Sequence, residues 1–209
     1  MTTTKKLTLS HKYAPRLQHL LSNREIRGWE RDSDVYINDG VFYVDISIEA
    51  YVTIYTSITG VLFPWSSGEP PKASPANLKN DLSHINFLPN AVQNLVELLE
   101  STNAKLKVHS LWRYSFYGEK NKLSELFLRN GFKENHLHPE FFVGFKGKDG
   151  SKVYDLEFSI SDSSSSNIVI DTKPMCLSDN FKLHLVDPTV GFSSSDVYEL
   201  RKLMERNSS

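Results

Sequence analysis

The sequence predicts an α+β fold in which helices pack on a mixed sheet, and three observations support this class. Between Phe87 and Lys146, the apolar residues change from helical spacing to alternation and back again. Asp39-Gly40 separates two short apolar runs, which is the pattern of a tight hairpin. From about Ser194 to Arg206, apolar residues again recur at helical spacing. A chain of 209 residues with 39% hydrophobic residues can bury such a core.

Composition along the chain predicts a single domain with appendages. We expect a flexible polar arm at residues 1–12 and a core domain at 13–160. An irregular loop is expected at 64–80, because this stretch holds four prolines, a glycine and several serines. Residues 161–209 are expected to form a C-terminal extension with short strands and a terminal helix.

In the N-terminal part, a helix is expected over Tyr13–Arg27, with Gly28 as its stop. Residues 35–37 and 41–44 should pair as the two strands of a hairpin, because Asp-Gly tolerates positive φ. The stretch 50–63 is rich in β-branched and aromatic residues and predicts a further strand.

The block from Phe87 to Lys146 predicts helix, strand, helix and strand in that order. The first helix begins at Pro89, and one apolar face repeats along it: Val92, Leu95, Val96 and Leu99. Alternating apolar and polar residues predict a strand over 105–117. Helical spacing then returns until Gly131, a usual residue just past a helix end, and a strand is expected at 141–146.

Signals in the C-terminal part are weaker. Residues 152–160 are roughly spaced as a strand, and 168–170 and 181–186 are interpreted as edge strands. A final amphipathic helix is expected from about Ser194, with Ser193 and Asp196 as a capping pair at its start.

Global composition excludes several classes of protein. The formal net charge of -1 does not favour nucleic acid or an acidic membrane surface as a partner. A single cysteine, Cys176, excludes an internal disulfide and a multi-thiolate metal site, and this thiol is interpreted as inert. No apolar run reaches the roughly 20 residues of a membrane span, and the first ten residues lack the apolar segment of a secretory signal. We therefore expect a cytoplasmic or nuclear protein with no membrane partner.

Two local patterns invite a functional interpretation. His136, His138 and Glu140 are two residues apart, but zinc catalysis needs an open coordination position and Pro139 interrupts the strand, so a surface turn is favoured over a metal site. Trp112–Tyr117 mixes aromatic and basic residues, as single-stranded nucleic-acid platforms do. Core packing of these aromatic residues is the favoured alternative.

The order strand, turn, helix, strand after Lys105 resembles the C-terminal half of acetyltransferases of the GNAT class. In that class the turn is rich in glycine, because its backbone N–H groups cradle the pyrophosphate of acetyl-CoA. Here the turn is Tyr117–Asn121, with one glycine and with Glu119 where phosphates would lie. We therefore expect a GNAT-like fold with no cofactor and no catalytic residues.

A GNAT-like scaffold without a cofactor loop resembles the ornithine decarboxylase antizymes. The residues that carry the resemblance follow one another in order: Gly40–Ile46, Leu98-Leu99-Glu100, the strand to Tyr117, Gly131–Glu134 and His138-Pro139. The chain departs from the family after Glu100, where Ser101–Ala104 replace further acidic residues. It also has the apparent insertion at 64–80 and a longer tail beyond Lys148.

The resemblance implies a non-catalytic inhibitor that binds ornithine decarboxylase, prevents its dimerisation and directs it to the proteasome. The polar face of the 90–101 helix would then meet a basic surface of that enzyme through Gln93, Asn94, Glu97 and Glu100. Two alternatives stay open, which are an acyltransferase with an unusual cofactor loop and a docking subunit of a larger assembly.

Overall fold

The computed structural model describes residues 3–25, 29–63, 65, 82–83, 85–116, 120–144, 152–160 and 164–205. Among these residues, helices accompany both antiparallel and parallel strand pairs, so the predicted α+β class is confirmed. The chain forms two compact units, one of residues 1–51 with 161–165 and one of residues 52–160 with 166–209. The expected loop at 64–80, apart from Trp65, and the turn at 117–119 lie outside the described residues.

Eight strands and six helices are assigned within the described residues. The strands are β1 (Thr3–His11), β2 (Glu30–Arg31), β3 (Tyr36–Asn38), β4 (Val41–Thr56), β5 (Lys105–Val108), β6 (Leu137–Phe142), β7 (Ser164–Asp171) and β8 (Phe181–Leu185). The helices are α1 (Ala14–Glu25), α2 (Pro89–Thr102), α3 (Trp112–Ser115), α4 (Lys120–Arg129), α5 (Lys152–Glu157) and α6 (Ser194–Glu205), with a 3-10 turn at Glu134–His136.

The first unit is an antiparallel sheet with one helix. β1 pairs with β4 over nine residues, so the flexible arm expected at residues 1–12 is wrong for Thr3–His11. In β1, Leu7 pairs with Ile46 and Leu9 pairs with Val44. The polar composition of this N-terminal stretch did not indicate that it pairs with another strand. The core of this unit consists of Leu17, Leu21, Trp29, Val44, Ile46 and Ile48.

The predicted hairpin is confirmed in the first unit. β3 pairs with β4 around Asp39 and Gly40, whose φ values of 49° and 74° are those of a type I′ turn. β4 then continues without a break to Thr56, instead of forming the two separate strands expected at 41–44 and 50–63.

The second unit is built on a sheet with the strand order β6-β5-β4-β7-β8. β5 pairs in parallel with β4 and with β6, and β8 pairs in parallel with β7. Ser57 N donates to Ile170 O at 3.0 Å, so β4 and β7 end at the same edge of the sheet. β8 is an edge strand as predicted, whereas β7 lies inside the sheet and not at its edge.

Helices α2, α4 and α6 contribute the apolar core of the second unit. Phe127 is fully buried, with its ring centroid 5.1 Å from those of Phe87, Phe132 and Phe141. Trp112 and Phe116 are 2% and 1% exposed, so the interpretation as core is confirmed for these two aromatic residues, whereas Tyr114 is only half-buried and Tyr117 lies outside the described residues. Among the described residues, no helix has both the length and the apolar character needed to cross a membrane.

Two elements differ from the prediction after β5 and before β7. The strand expected over 105–117 ends at Val108, because Ser110 starts a turn in which its carbonyl accepts from Arg113 N at 3.1 Å. Residues 152–157 form helix α5 instead of a strand, and the helical spacing buries Asp155 and Leu156 side by side. Strand β6 begins at Leu137, earlier than expected, and tolerates Pro139 because it is an edge strand.

Candidate functional site

The loops that follow β4, β5 and β7 meet at the carboxyl edge of the parallel sheet in the second unit. His109 N donates to Thr56 O at 3.1 Å, and Ser57 N donates to Ile170 O at 3.0 Å. The chain moves from β4 outward to β5 and β6 and then returns to β7 on the other side of β4. Ligands of open parallel sheets bind outside the strand ends at such a reversal of strand order. This edge is therefore the candidate site.

An ion pair between Lys152 and Asp171 lies at this edge. Lys152 Nζ is 2.8 Å from Asp171 Oδ2, and its side chain is 23% exposed, whereas that of Asp171 is 3% exposed. Asp171 Oδ1 accepts from Thr172 N at 2.6 Å and Lys173 N at 3.2 Å. Burial alone would raise the pKa of Asp171, but the charge of Lys152 and the hydrogen bonds from Lys152 and from Thr172 N lower it. Asp171 is thus ionised, and both of its carboxylate oxygens accept hydrogen bonds, one of them from Lys152.

His109 is completely buried beside this pair. Its Nε2 lies 3.2 Å from Ile170 O and 3.6 Å from Asp171 Oδ2. Since a carbonyl oxygen only accepts, the Nε2 atom carries the proton and Nδ1 is enclosed without a hydrogen-bond partner among the described residues. Burial lowers the pKa of His109 to about 3, and the positive charge of Lys152 acts in the same direction. The ring is therefore neutral at physiological pH.

Three hydroxyl groups on the loops after β4 and β5 have their acceptor side occupied. Ser57 Oγ accepts from Lys152 Nζ at 3.4 Å, and Thr59 Oγ1 accepts from Trp112 Nε1 at 2.9 Å. Ser110 Oγ accepts from Trp112 N at 3.4 Å. Within the described part of the chain, none of these three hydroxyls donates its hydrogen to a protein acceptor. A hydroxyl has one hydrogen to donate, so at each of these three groups that hydrogen is left without a protein acceptor among the described residues; Ser57 and Ser110 are only 3% and 2% exposed.

A buried ion pair fixes the two short helices that carry these groups. Arg113 on α3 binds Asp155 on α5, and it also donates to the carbonyl oxygens of His109 and Ser110. The hydroxyl of Tyr114 donates to Asp155 Oδ2 at 2.6 Å. Burial and this hydrogen bond raise the pKa of Tyr114 to about 12. The position of Lys152 at the start of α5 is thereby tied to the loop after β5.

Gly60 allows the loop after β4 to approach the loop after β7. Its φ is 82°, and a Cβ there would lie 2.5 Å from Thr172 Cγ2 and 3.1 Å from Pro188 Cβ. Any side chain at this position would push apart the loops that bear Thr59 and Asp171.

The partner-binding residues proposed from the sequence lie elsewhere, on α2. Gln93 is exposed, whereas Asn94 is half-buried and donates to Phe192 O at 3.1 Å. Glu97 pairs with Arg201 at 2.9 Å, and Glu100 pairs with Lys133 at 2.6 Å. Lys133 chiefly lowers the pKa of Glu100. Both carboxylates are about half exposed, so their role in binding a partner stays a prediction.

The histidines considered as metal ligands make local backbone contacts. His136 Nδ1 accepts from Lys133 N at 3.2 Å, and His138 Nδ1 accepts from Glu140 N at 2.9 Å. Glu140 pairs with Lys107 at 3.3 Å. Within the described residues, no three His, Cys, Asp or Glu side chains are placed to hold a metal ion. Cys176 is exposed.

Sequence reasoning missed every residue of the carboxyl-edge site. Ser57 and Asp171 each follow a run of β-branched or apolar residues, and Ser110 follows an alternating stretch, which are the signals that could have located strand ends. The strand predicted over 105–117 runs past Ser110, and the strand predicted over 152–160 covers Lys152, which instead begins helix α5.

Comparison with known proteins adds no relative. No family model, no curated protein and no solved structure matches this chain, so the architecture and the contacts at the carboxyl edge carry the functional argument.

Proposed function

We propose that the second unit binds a small phosphorylated molecule at the carboxyl edge of its parallel sheet. The observation that carries this proposal is a set of three hydroxyl groups, on Ser57, Thr59 and Ser110, whose hydrogens have no protein acceptor among the described residues. Lys152 Nζ, which is paired with Asp171, lies 3.4 Å from Ser57 Oγ. A phosphoryl group carries only acceptor oxygens and a negative charge, which matches such a set.

The same contacts favour binding without transfer of the phosphoryl group. Activation of a serine nucleophile needs an adjacent base. Lys152 Nζ donates to Asp171 at 2.8 Å, and both oxygens of Asp171 already accept hydrogen bonds. The His109 Nε2 proton is directed at Ile170 O. Ser57 therefore has no general base among the described residues, and the site serves recognition.

Calorimetric titration with inorganic phosphate and phenyl phosphate tests this function. We expect saturable binding that weakens with added salt, because the attraction is partly between charges. Ser57→Ala, which keeps the Lys152–Asp171 pair, should weaken binding by about three- to tenfold, the worth of one net hydrogen bond. Lys152→Met should weaken it more, whereas Lys202→Met on α6 is the matched control. Absence of binding by the unaltered protein at millimolar ligand would refute the proposal.

A second proposal concerns a protein partner. We propose, from the ordered motifs shared with antizymes, that the chain binds and inhibits ornithine decarboxylase and promotes its degradation. The exposure of Glu97 and Glu100, whose side chains are 56% and 48% exposed, supports their availability to a basic surface. A cytoplasmic or nuclear location suits this proposal. The acyltransferase and docking-subunit alternatives remain hypotheses.

Inhibition of purified ornithine decarboxylase separates this second proposal from the first. If the α2 face is the interface, Glu97→Lys/Glu100→Lys should lose inhibition and alter its salt dependence. Circular dichroism must show that the variant is folded, because both charges also pair with Arg201 and Lys133 in the chain. No inhibition by the unaltered protein at micromolar concentration would remove the antizyme assignment. Equal inhibition by both proteins would move the interface elsewhere.

A further inference from the structure

We infer that Trp112 is a positioning residue of the phosphoryl site, where its indole N–H orients the hydroxyl group of Thr59. This inference rests on the proposed binding of a phosphorylated molecule and names the side chain that orients one of its donors. Trp112 contacts both loops at once. Its indole N–H donates to Thr59 Oγ1 at 2.9 Å, and its backbone N–H donates to Ser110 Oγ at 3.4 Å.

The direction of a hydroxyl hydrogen depends on what its oxygen accepts. An isolated hydroxyl rotates freely and loses that freedom when it binds a ligand. When a lone pair of Thr59 is held by the indole, the O–H hydrogen of Thr59 must point away from the indole. The donor is then oriented before the ligand arrives, and less entropy is lost on binding.

Trp112 is itself held rigidly enough to act in this way. It is 2% exposed, and its ring packs edge-on against Phe63 with the centroids 6.2 Å apart. Thr59 and Phe63 form a β-bridge within the loop after β4. The ring and the hydroxyl that it orients therefore belong to one packed unit. A phenylalanine ring could pack in the same place. The inference therefore concerns the indole N–H, which phenylalanine lacks.

Trp112→Phe separates hydrogen bonding from packing. The ring stays in the core while the donor to Thr59 is removed, and we expect phosphate affinity to fall by about three- to tenfold. Trp29→Phe is the matched control, because Trp29 is also buried in its own unit and its indole N–H has no partner among the described residues. That control should bind phosphate as the unaltered protein does.

Thr59→Val gives a second variant that does not disturb the tryptophan. It should weaken binding by at least as much as Trp112→Phe, and the double variant should bind no more weakly than Thr59→Val alone, because the indole acts through this hydroxyl. The Nε1–H resonance of Trp112 should also shift during titration with inorganic phosphate, while that of Trp29 stays in place.

Three results would overturn the inference. They are unchanged phosphate affinity in Trp112→Phe, additive losses in the double variant, and an unmoved Trp112 resonance at saturating phosphate. Failure of the unaltered protein to bind phosphate is a different result, since it removes the phosphoryl site itself and the inference with it. Measuring the unaltered protein first therefore distinguishes the two failures.

Discussion

At the scale of single residues, Gly60 shows how one absent side chain shapes the candidate site. Gly60 and Gly40 have similar φ values of 82° and 74°, but only at Gly60 would a Cβ meet other atoms. Alanine at either position would be strained by the positive φ, at a cost of about 1 kcal/mol. We expect Gly60→Ala to lower the free energy of unfolding by a further 1–3 kcal/mol or so, because Thr172 must move. Urea denaturation of both variants measures the difference, and equal losses would contradict the contact.

At the scale of secondary-structure elements, the start of α6 is closed by a reciprocal cap. Ser193 N donates to Asp196 Oδ2 at 2.7 Å, and Asp196 N donates to Ser193 Oγ at 3.5 Å. His184 contacts the same aspartate from β8 at 2.7 Å. Ser193→Ala should lower the free energy of unfolding by about 0.5–2 kcal/mol, the usual effect of losing an N-cap. The exposed Ser194→Ala is the control, and equal thermal stability of both variants would argue against a capping role.

At the scale of the whole molecule, buried histidines should make stability depend on pH. Burial, the largest cause at each residue, lowers the pKa of His109 and of His138 to about 3 and also lowers that of His136. An unfolded histidine binds its proton near pH 6.5, so the unfolded state binds more protons below that value. Stability is thus fully present above pH 6.5 and is lost as the pH falls toward 3. The slope is at most about 1.4 kcal/mol per pH unit for each histidine.

Urea denaturation at pH 7 and pH 5 tests this dependence where most carboxylates stay ionised. His138→Asn keeps an acceptor for Glu140 N through its side-chain oxygen but cannot titrate. It should therefore reduce the loss of stability between the two pH values, and the same substitution at the exposed His19 is the control. Equal stability of the unaltered protein at pH 7 and pH 5 would contradict the conclusion that the buried histidines are neutral.

Helices and strands could be predicted wherever the local pattern was strong. The Asp39-Gly40 hairpin, α2 before Asn103 and the capped α6 needed only near neighbours in sequence. The pattern failed at Trp112–Ser115, where aromatic residues alternate as in a strand. These residues form a helix instead, because the carbonyl oxygen of Ser110 accepts a hydrogen bond from Arg113 N. It failed again at α5, since a six-residue helix is too short to show a period.

By itself, the sequence determined the α+β class, the main helices and the hairpin, because those depend on periodicity and turn chemistry over a few residues. Only the tertiary structure decided the strand order, which depends on contacts between residues far apart in the chain. The candidate site depends on the same contacts, because Ser57, Lys152 and Asp171 become neighbours only when β4 and β7 end at one edge. Each of these side chains is common on a protein surface, so no local signal marked them as a group.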